Sequence, residues 1–389
     1  MKIKTDYKMT RDEFDILKKT IKNSERTIRG RKKDIGYALD KPGYVGLKLT
    51  NKCNLRCKHC YQWNEQGYHN NLSSEEQNDE LSISLIEDIL RDTEDVKSRL
   101  YIWGGEPLIY TKFSQLLNML KTYKREVVIC TNAILLDKYK AEICEVSRNM
   151  ELLIGIEGFA REHNSIRGYG SFERAIANVK EFVKLKREGI YQGKISVHTV
   201  MNNDMIGKLY DFLTYMEEIG IDMVMLCFPW YISKECQIKM DEYYQNNFEE
   251  NRSRSPVVRS WYSFDFKIEK EKIERLLLEL DDICRKKWNI IIKMQPDLEK
   301  NEVEDFILGQ VQEQVNRKSC LALSNRIDIN PDGSVVACKF FSEFVMGNLN
   351  EASILEIWGN KEYEHMRRCV NRHLMPVCTK CSELHLHGI

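Results

Sequence analysis

Cys53, Cys57 and Cys60 stand on one short loop, Thr50-Asn51-Lys52-Cys53-Asn54-Leu55-Arg56-Cys57-Lys58-His59-Cys60-Tyr61. Three thiolates this close can hold three irons of a cubane [4Fe–4S] cluster, whose complete ligation takes four cysteines. The fourth iron would stay open, as a catalytic zinc keeps one position free. An open, reducible iron is a reaction site, whereas a closed cluster only carries electrons. The competing reading is a structural zinc knuckle. Zinc prefers C-x2-C pairs separated by a longer loop, and here a C-x3-C runs directly into a C-x2-C. His59 lies between two of the cysteines and is expected to point away from them.

A second constellation follows the apolar run Leu100-Tyr101-Ile102-Trp103: Gly104-Gly105-Glu106-Pro107. The run reads as a buried strand. Two glycines at its C-terminal end let the backbone approach a ligand closely. Glu106 offers a carboxylate or a carbonyl, and Pro107 stiffens the turn.

A further cysteine set lies near the C-terminus. Pro331-Asp332-Gly333 between alternating apolar residues predicts a tight hairpin that carries Cys338 back towards Cys320. Cys378-Thr379-Lys380-Cys381 adds a C-x2-C pair. Four thiolates close one [4Fe–4S] cluster, and on chemistry alone they suit zinc equally well. Cys369 sits in a helical Arg/His-rich run and reads as structural. Cys130, Cys144, Cys227 and Cys284 read as core fillers.

The elements that must position these residues follow an α/β pattern. Strands are expected at 44–49, 100–103, 127–130, 152–156, 195–200 and 223–227, and helices near 82–94, 112–124, 136–148, 171–188 and 204–219. Six strands joined by crossover helices imply parallel strands in a barrel or partial barrel. Ligand sites in such sheets lie at the C-terminal strand ends, where both the cysteine loop and the Gly-Gly turn fall. Residues 1–42 read as a helical leader. Thr10 and Glu13 have capping-box spacing, Phe14, Leu17 and Ile21 recur at helical spacing, and the basic run 26–33 reads as a solvated helix end. Residues 43–231 form the barrel, 232–317 a helical insertion or linker, and 318–389 the cluster-binding region. The insertion's Tyr243, Tyr244, Trp261, Tyr262 and Phe264 read mainly as core.

Lys+Arg and Asp+Glu are both 59, so the net charge is zero, which argues against a nucleic-acid or membrane-surface protein. The chain begins without a signal peptide and has no long apolar run. Thirteen cysteines then fit a cytoplasmic protein that uses them as cluster ligands and buried residues rather than disulfides.

C-x3-C-x2-C followed by an aromatic residue resembles the signature of the radical S-adenosylmethionine (SAM) superfamily, and Gly104-Gly105-Glu106-Pro107 resembles its SAM-binding turn. The resemblance implies a partial (β/α)6 TIM-like barrel with a small C-terminal β-hairpin-plus-helix domain. The open iron would chelate SAM, and an electron from a donor such as flavodoxin or ferredoxin would give a 5′-deoxyadenosyl radical. It further implies that Gly104, Gly105, Glu106 and Pro107 bind the methionine amino end, that Thr131 and Asn132 contact SAM, and that Arg167 pairs with its carboxylate. On the fourth strand the family's Ser-Ile-Asp-Gly is here Gly155-Ile156-Glu157-Gly158, so the ribose serine is missing. Cys320, Gly333-x4-Cys338, Gly347-Asn348-Leu349, Ile354–Trp358 and the Cys378/Cys381 pair resemble the SPASM/twitch extension. Only Ser382–Ile389 follow, so one auxiliary [4Fe–4S] cluster of the shorter twitch type is expected beside the SAM cluster. Sulfatase-maturing relatives carry an Asp base where this chain has Lys339, which makes Lys339 a weak catalytic candidate.

Three functions compete. The first is oxidative modification of a ribosomally made peptide, such as a crosslink formed with loss of two hydrogens. About 42 residues precede the barrel, fewer than a winged-helix leader-binding domain needs. The second is dehydrogenation of a sugar or cyclitol alcohol. The third is a non-catalytic iron–sulfur or zinc protein.

Overall fold

A computed structural model describes residues 1–248, 259–310 and 317–387. Its main body is one ten-stranded sheet. A short β1 (Lys4–Thr5) stands apart. The barrel strands are β2 (Tyr44–Lys48), β3 (Arg99–Trp103), β4 (Val127–Thr131), β5 (Met150–Gly155), β6 (Lys194–Val200) and β7 (Met223–Cys227). A two-residue β8 (Lys287–Trp288) precedes β9 (Ile291–Gln295), and β10 (Arg326–Ile329), β11 (Ser334–Val336) and β12 (Val345–Asn348) follow. The strand order is β12-β11-β10-β2-β3-β4-β5-β6-β7-β9. The run from β10 to β9 is wholly parallel, and β11 runs antiparallel to both its neighbours, β10 and β12.

Register decides which residues reach the interior. Partners across a parallel sheet share a face, and side chains alternate with period two. Val45, Leu100, Val127 and their i+2 neighbours Leu47, Ile102 and Ile129 are in register and buried. Their strands are joined by α2 (Ile83–Asp92), α3 (Phe113–Thr122) and α4 (Lys140–Glu145). Each such side chain contributes roughly 1.5–3 kcal/mol by leaving water. The opposite face is different in kind. It carries Gly46 and Lys48, Tyr101 and Trp103, Cys130, His198, Cys227, Arg326 and Asp328. One face therefore holds the fold together, and the other holds the polar groups.

Six strands match the expected ones to within two residues. The helices α6 (Ser171–Arg187) and α7 (Leu209–Ile219) also fall where periodicity placed them. Three features depart from expectation. Residues 160–167, where no helix was expected, form α5 (Ala160–Arg167). The stretch expected to be a helical insertion has α8 (Lys234–Phe248) and α9 (Lys270–Arg285), but it also supplies β9, which pairs with β7 as a further barrel strand. The apolar run Ile290-Ile291-Ile292 was hidden among charged helix formers. Residues 249–258 and 311–316 of that insertion lie outside the described residues.

The third departure is the leader's basic end. Helix α1 (Arg11–Lys33) starts at the expected Thr10/Glu13 capping box. Yet Phe14, Leu17 and Ile21 are exposed, because α1 packs through its other faces across the N-terminal strand ends. Thr20 reaches the Tyr44 hydroxyl at 3.2 Å, and Lys19 donates to the carbonyls of Val96 and Lys97. The basic run is not simply solvated either. Arg31 is largely buried and donates to the Cys320 carbonyl at 2.7 Å and to the Ser324 hydroxyl at 2.6 Å. At the other end, Met1 donates to the Leu298 carbonyl and β1 pairs with β8. The leader thus ties together both flanks of the sheet.

Beyond β10 the hairpin turns at Asn330–Gly333, where Gly333 has φ +82°. The short α10 (Val303–Ile307) precedes it, and α11 (Ile354–Trp358), α12 (Lys361–Arg372) and α13 (Ser382–His387) complete the region. Because β10 pairs directly with β2, the C-terminal region is built onto the barrel edge rather than hung from a linker.

Candidate active site

The cysteine loop leaves β2 and is stitched to the Gly-Gly turn after β3. The Gly105 amide donates to the Thr50 carbonyl and the Glu106 amide to the Lys52 carbonyl, both at 2.8 Å. A Cβ on Gly105 would lie 2.1 Å from the Lys52 oxygen, and one on Gly104 would lie 2.7 Å from the Thr50 oxygen. The glycines are needed here for the approach of the cysteine loop's own backbone. Within the loop, the Cys60 amide donates to the Cys57 carbonyl, and the Leu55 amide points at the Cys53 sulfur at 3.4 Å.

Glu106 does not reach out as a free carboxylate. It is 1% exposed. It accepts from the Thr131 hydroxyl at 2.7 Å, the Asn132 amide at 2.8 Å and the Leu108 amide at 3.0 Å. Burial pushes its carboxyl up, against the pull of those donors. Asn132 in turn donates to Asn54 in the cysteine loop at 2.8 Å. Thr131, Asn132, Glu106 and the loop therefore form one rigid unit at the C-terminal ends of β2, β3 and β4.

Arg167 also has a partner that the sequence did not announce. Its Nε and one Nη donate to Glu157 at 3.1 and 2.6 Å. His59 Nε2 lies 3.0 Å from the same carboxylate oxygen, so His59 does point away from the thiols. Glu157 is fully buried and also accepts from the Val200 amide at 2.6 Å. Burial alone would raise its carboxyl, but His59 and Arg167 hold it well below the usual carboxylate range. His163 and His198, beside the same group, are pushed down to about 4 by burial.

Lys48 is a further unforeseen member. Its ammonium sits 2.9 Å from His69 Nε2, over the rings of Tyr68 and Trp103. Burial lowers it to about 7. A lysine inside the apolar run Tyr44–Leu49 was the available signal.

Cys320, Cys338, Cys378 and Cys381 all line one cavity, with Phe340, Phe341 and Met375 among its apolar walls. Cys369 is outside it, on α12 near His365. Lys339 pairs with Glu383 at 2.5 Å and lies over Tyr101 and Phe340. Arg326 and Asp328 form a two-bond pair at 2.8 Å beside it.

The donor chemistry fits iron–sulfur clusters at both places. Burial pushes Cys53, Cys57 and Cys338 up to about 12, and Cys378 and Cys381 well above a free thiol. Thiolates are costly at such depth unless a cation binds them, which is what cluster iron does. Among the described residues, Trp103 Nε1, at the end of β3, and Trp230 Nε1, just after β7, are buried polar atoms without a partner. A polar ligand such as SAM would satisfy groups of this kind.

Family comparison agrees with the geometry. Residues 47–213 match the radical SAM superfamily, and residues 320–382 match the SPASM iron–sulfur cluster-binding domain. The chain is a radical SAM enzyme with a SPASM-type domain. Its cofactors are SAM and two iron–sulfur clusters. It is 21% identical over 362 residues to the tungsten-containing aldehyde ferredoxin oxidoreductase cofactor-modifying protein of Pyrococcus furiosus, covering 87% of each chain. It is 30% identical over 188 residues to mycofactocin maturase MftC of Mycobacterium ulcerans, covering 47% of each. In fold it resembles Streptococcus suis SuiB bound to its precursor peptide SuiA, with TM-score 0.60 and 17% identity over 90% of this chain and 71% of that one. No helix among the described residues is long and apolar enough to cross a membrane.

Proposed function

We propose that the enzyme oxidatively modifies a ribosomally synthesised peptide, forming a crosslink or related bond with loss of two hydrogens. The observation that carries this reading is the single aromatic wall between the two cysteine sets. Tyr61, next to Cys60, stacks on Phe264 at 4.6 Å and meets Phe340 edge-on at 6.0 Å; Phe340 lines the cavity of the second set. Trp230 closes the wall at 4.4 Å from Phe340. Substrate oxidised at one set would thus lie close to an electron acceptor at the other. Mycofactocin maturase and the peptide-bound SuiB support a peptide substrate.

Cys53, Cys57 and Cys60 would hold the SAM-binding cluster, and Cys320, Cys338, Cys378 and Cys381 the auxiliary one. A cluster held at Cys53, Cys57 and Cys60 would supply the reducing electron for SAM cleavage. The protein's part is to orient and to exclude water. The Gly104–Pro107 turn, locked by Glu106 to Thr131 and Asn132, would hold the methionine end of SAM. Glu157 aims Arg167, whose other terminal nitrogen remains for the SAM carboxylate; a planar guanidinium suits that pairing. A flavodoxin or ferredoxin would deliver electrons, in the cytoplasm.

A second reading is small-molecule modification, including dehydrogenation of a sugar or cyclitol alcohol. A relative matched over 87% of the chain is named for modifying a cofactor. Anaerobic reactions with SAM, dithionite and synthetic peptides encoded by short reading frames beside the gene separate the two. The peptide reading expects a SAM-dependent loss of two hydrogens from one such peptide. Turnover of an alcohol, with every peptide unchanged, would overturn it.

A further inference from the structure

Lys48 and Trp103 are register partners at the C-terminal ends of β2 and β3. They share the face of the sheet that carries the polar groups. Lys48 comes just before the loop that bears Cys53, Cys57 and Cys60, and Trp103 just before the Gly104-Gly105 turn. This face is not packed shut. Tyr101, Cys130, His198 and Cys227 on it all keep partial exposure, as residues around an internal chamber do.

Two N–H groups end there without an acceptor. An ammonium offers three donors. Those of Lys48 meet His69 Nε2 at 2.9 Å and the Tyr68 hydroxyl at 3.5 Å, which leaves one. Trp103 Nε1 is buried and has no acceptor among the described residues. No carboxylate among the described residues pairs with Lys48; Asp332, Cys60 and Asp79 act on it only at longer range. Burial keeps its closest partner, His69, neutral. A buried cation in that setting is costly until an anion meets it. The Lys48 ammonium lies 5.8 Å from the Trp103 ring centre, a spacing that the two oxygens of one carboxylate can bridge.

We propose that Lys48 and Trp103 hold a carboxylate of the substrate peptide, so that the enzyme selects a segment with a carboxylate beside the residue it modifies. His69 and Tyr68 would aim the ammonium, and Trp103 Nε1 would take the second oxygen. The place suits the reaction. Tyr68 stacks on Tyr61 at 6.2 Å, and Tyr61 belongs to the aromatic wall between the two cysteine sets. A carboxylate anchored at one end of that wall would fix the peptide along it, and such fixed contacts away from the reacting atoms position the reacting carbon. The carboxylate can come from an aspartate or glutamate or from the peptide's C-terminus. The inference rests on the peptide reading above and narrows it.

The test exposes cluster-loaded, SAM-bound enzyme, without reductant, to pools of short random N-acetyl peptides whose random positions exclude acidic residues. One pool is C-amidated with a fixed Asp or Glu. A second is C-amidated with Asn or Gln in its place. A third has a free C-terminal carboxylate. Lys48→Met, Lys48→Gln and Trp103→Phe are treated in the same way, with iron content and melting temperature to confirm folding. The expected outcome is capture of one carboxylate pool about tenfold above the amide pool, which also tells side chain from chain end. That preference should vanish in both Lys48 variants and shrink in Trp103→Phe. Equal capture of all pools by wild type, or an unchanged preference in the Lys48 variants, would overturn the carboxylate site and leave the peptide reading standing. SAM affinity is measured beside it. A fall in the Lys48 variants as large as the fall in peptide capture would assign the carboxylate to SAM and also overturn the proposal. Capture of no pool by wild type would count against the proposal and the peptide reading together.

Discussion

The ring of Tyr61 meets the ring of Phe340 edge-on, with centroids 6.0 Å apart. Through this contact the loop that carries Cys53, Cys57 and Cys60 touches the wall of the cavity lined by Cys320, Cys338, Cys378 and Cys381. If the wall confines the substrate between the two, Phe340→Ala should uncouple the reaction. Opening a buried aromatic site costs about 3–5 kcal/mol, so Phe340→Leu is the milder companion. Both should make 5′-deoxyadenosine while yielding less modified product per equivalent. Chromatography of both products from one reaction checks this, and an unchanged ratio would remove the wall from the account.

Arg31 should matter to a site far along the chain. Its bonds to the Cys320 carbonyl and to Ser324 fix the entry of the first auxiliary cysteine. Arg31→Ala should lose about 1.5–3 kcal/mol of stability, the worth of hydrogen bonds to a charged group, and should release iron selectively from the C-terminal set. Chemical denaturation and iron content against a chelator measure both effects.

Glu106→Ala should destabilise the apoprotein, with no SAM present. Three donors would be left buried without their acceptor, each costing about 1–3 kcal/mol. A variant as stable as wild type in the apo state, but weak in SAM binding, would instead return Glu106 to the role of direct ligand.

His163 and His198 set a pH dependence of stability. Burial lowers both from the ordinary 6.5 to about 4. Between those values the unfolded chain binds protons that the folded chain refuses. The stability these neutral imidazoles support is therefore full above 6.5 and is lost as pH falls towards 4. Melting temperature should drop from about pH 7.5 to about pH 5, and His198→Gln should narrow the drop. An unchanged pH profile in His198→Gln would show that His198 does not titrate in this window.

The sequence was most legible where chemistry and periodicity coincide. The cysteine spacing, the Gly-Gly-Glu-Pro turn and six strands could be read because each is a local pattern, and Pro331-Asp332-Gly333 announced its hairpin. Pairings between distant residues could not be read. Glu157 with Arg167 and His59, Lys48 with His69, and Arg31 with Cys320 depend on which faces the fold brings together. β9 was missed because a short apolar run amid charged helix formers carries no period of its own. The stripe Phe14, Leu17 and Ile21 announced the helix α1 correctly but not the face it docks, which lies at other contacts.

Iron content together with SAM cleavage tests the central claim most directly, namely that two separate cysteine sets hold two clusters with different tasks. The anaerobically reconstituted enzyme should carry about eight irons and cleave SAM after reduction. Cys53→Ala/Cys57→Ala/Cys60→Ala should retain about four irons and make no 5′-deoxyadenosine, whereas Cys378→Ala/Cys381→Ala should retain about four and still make it. Tightly bound zinc at the C-terminal set with about four irons in the wild type, or SAM cleavage by the first variant, would contradict the account.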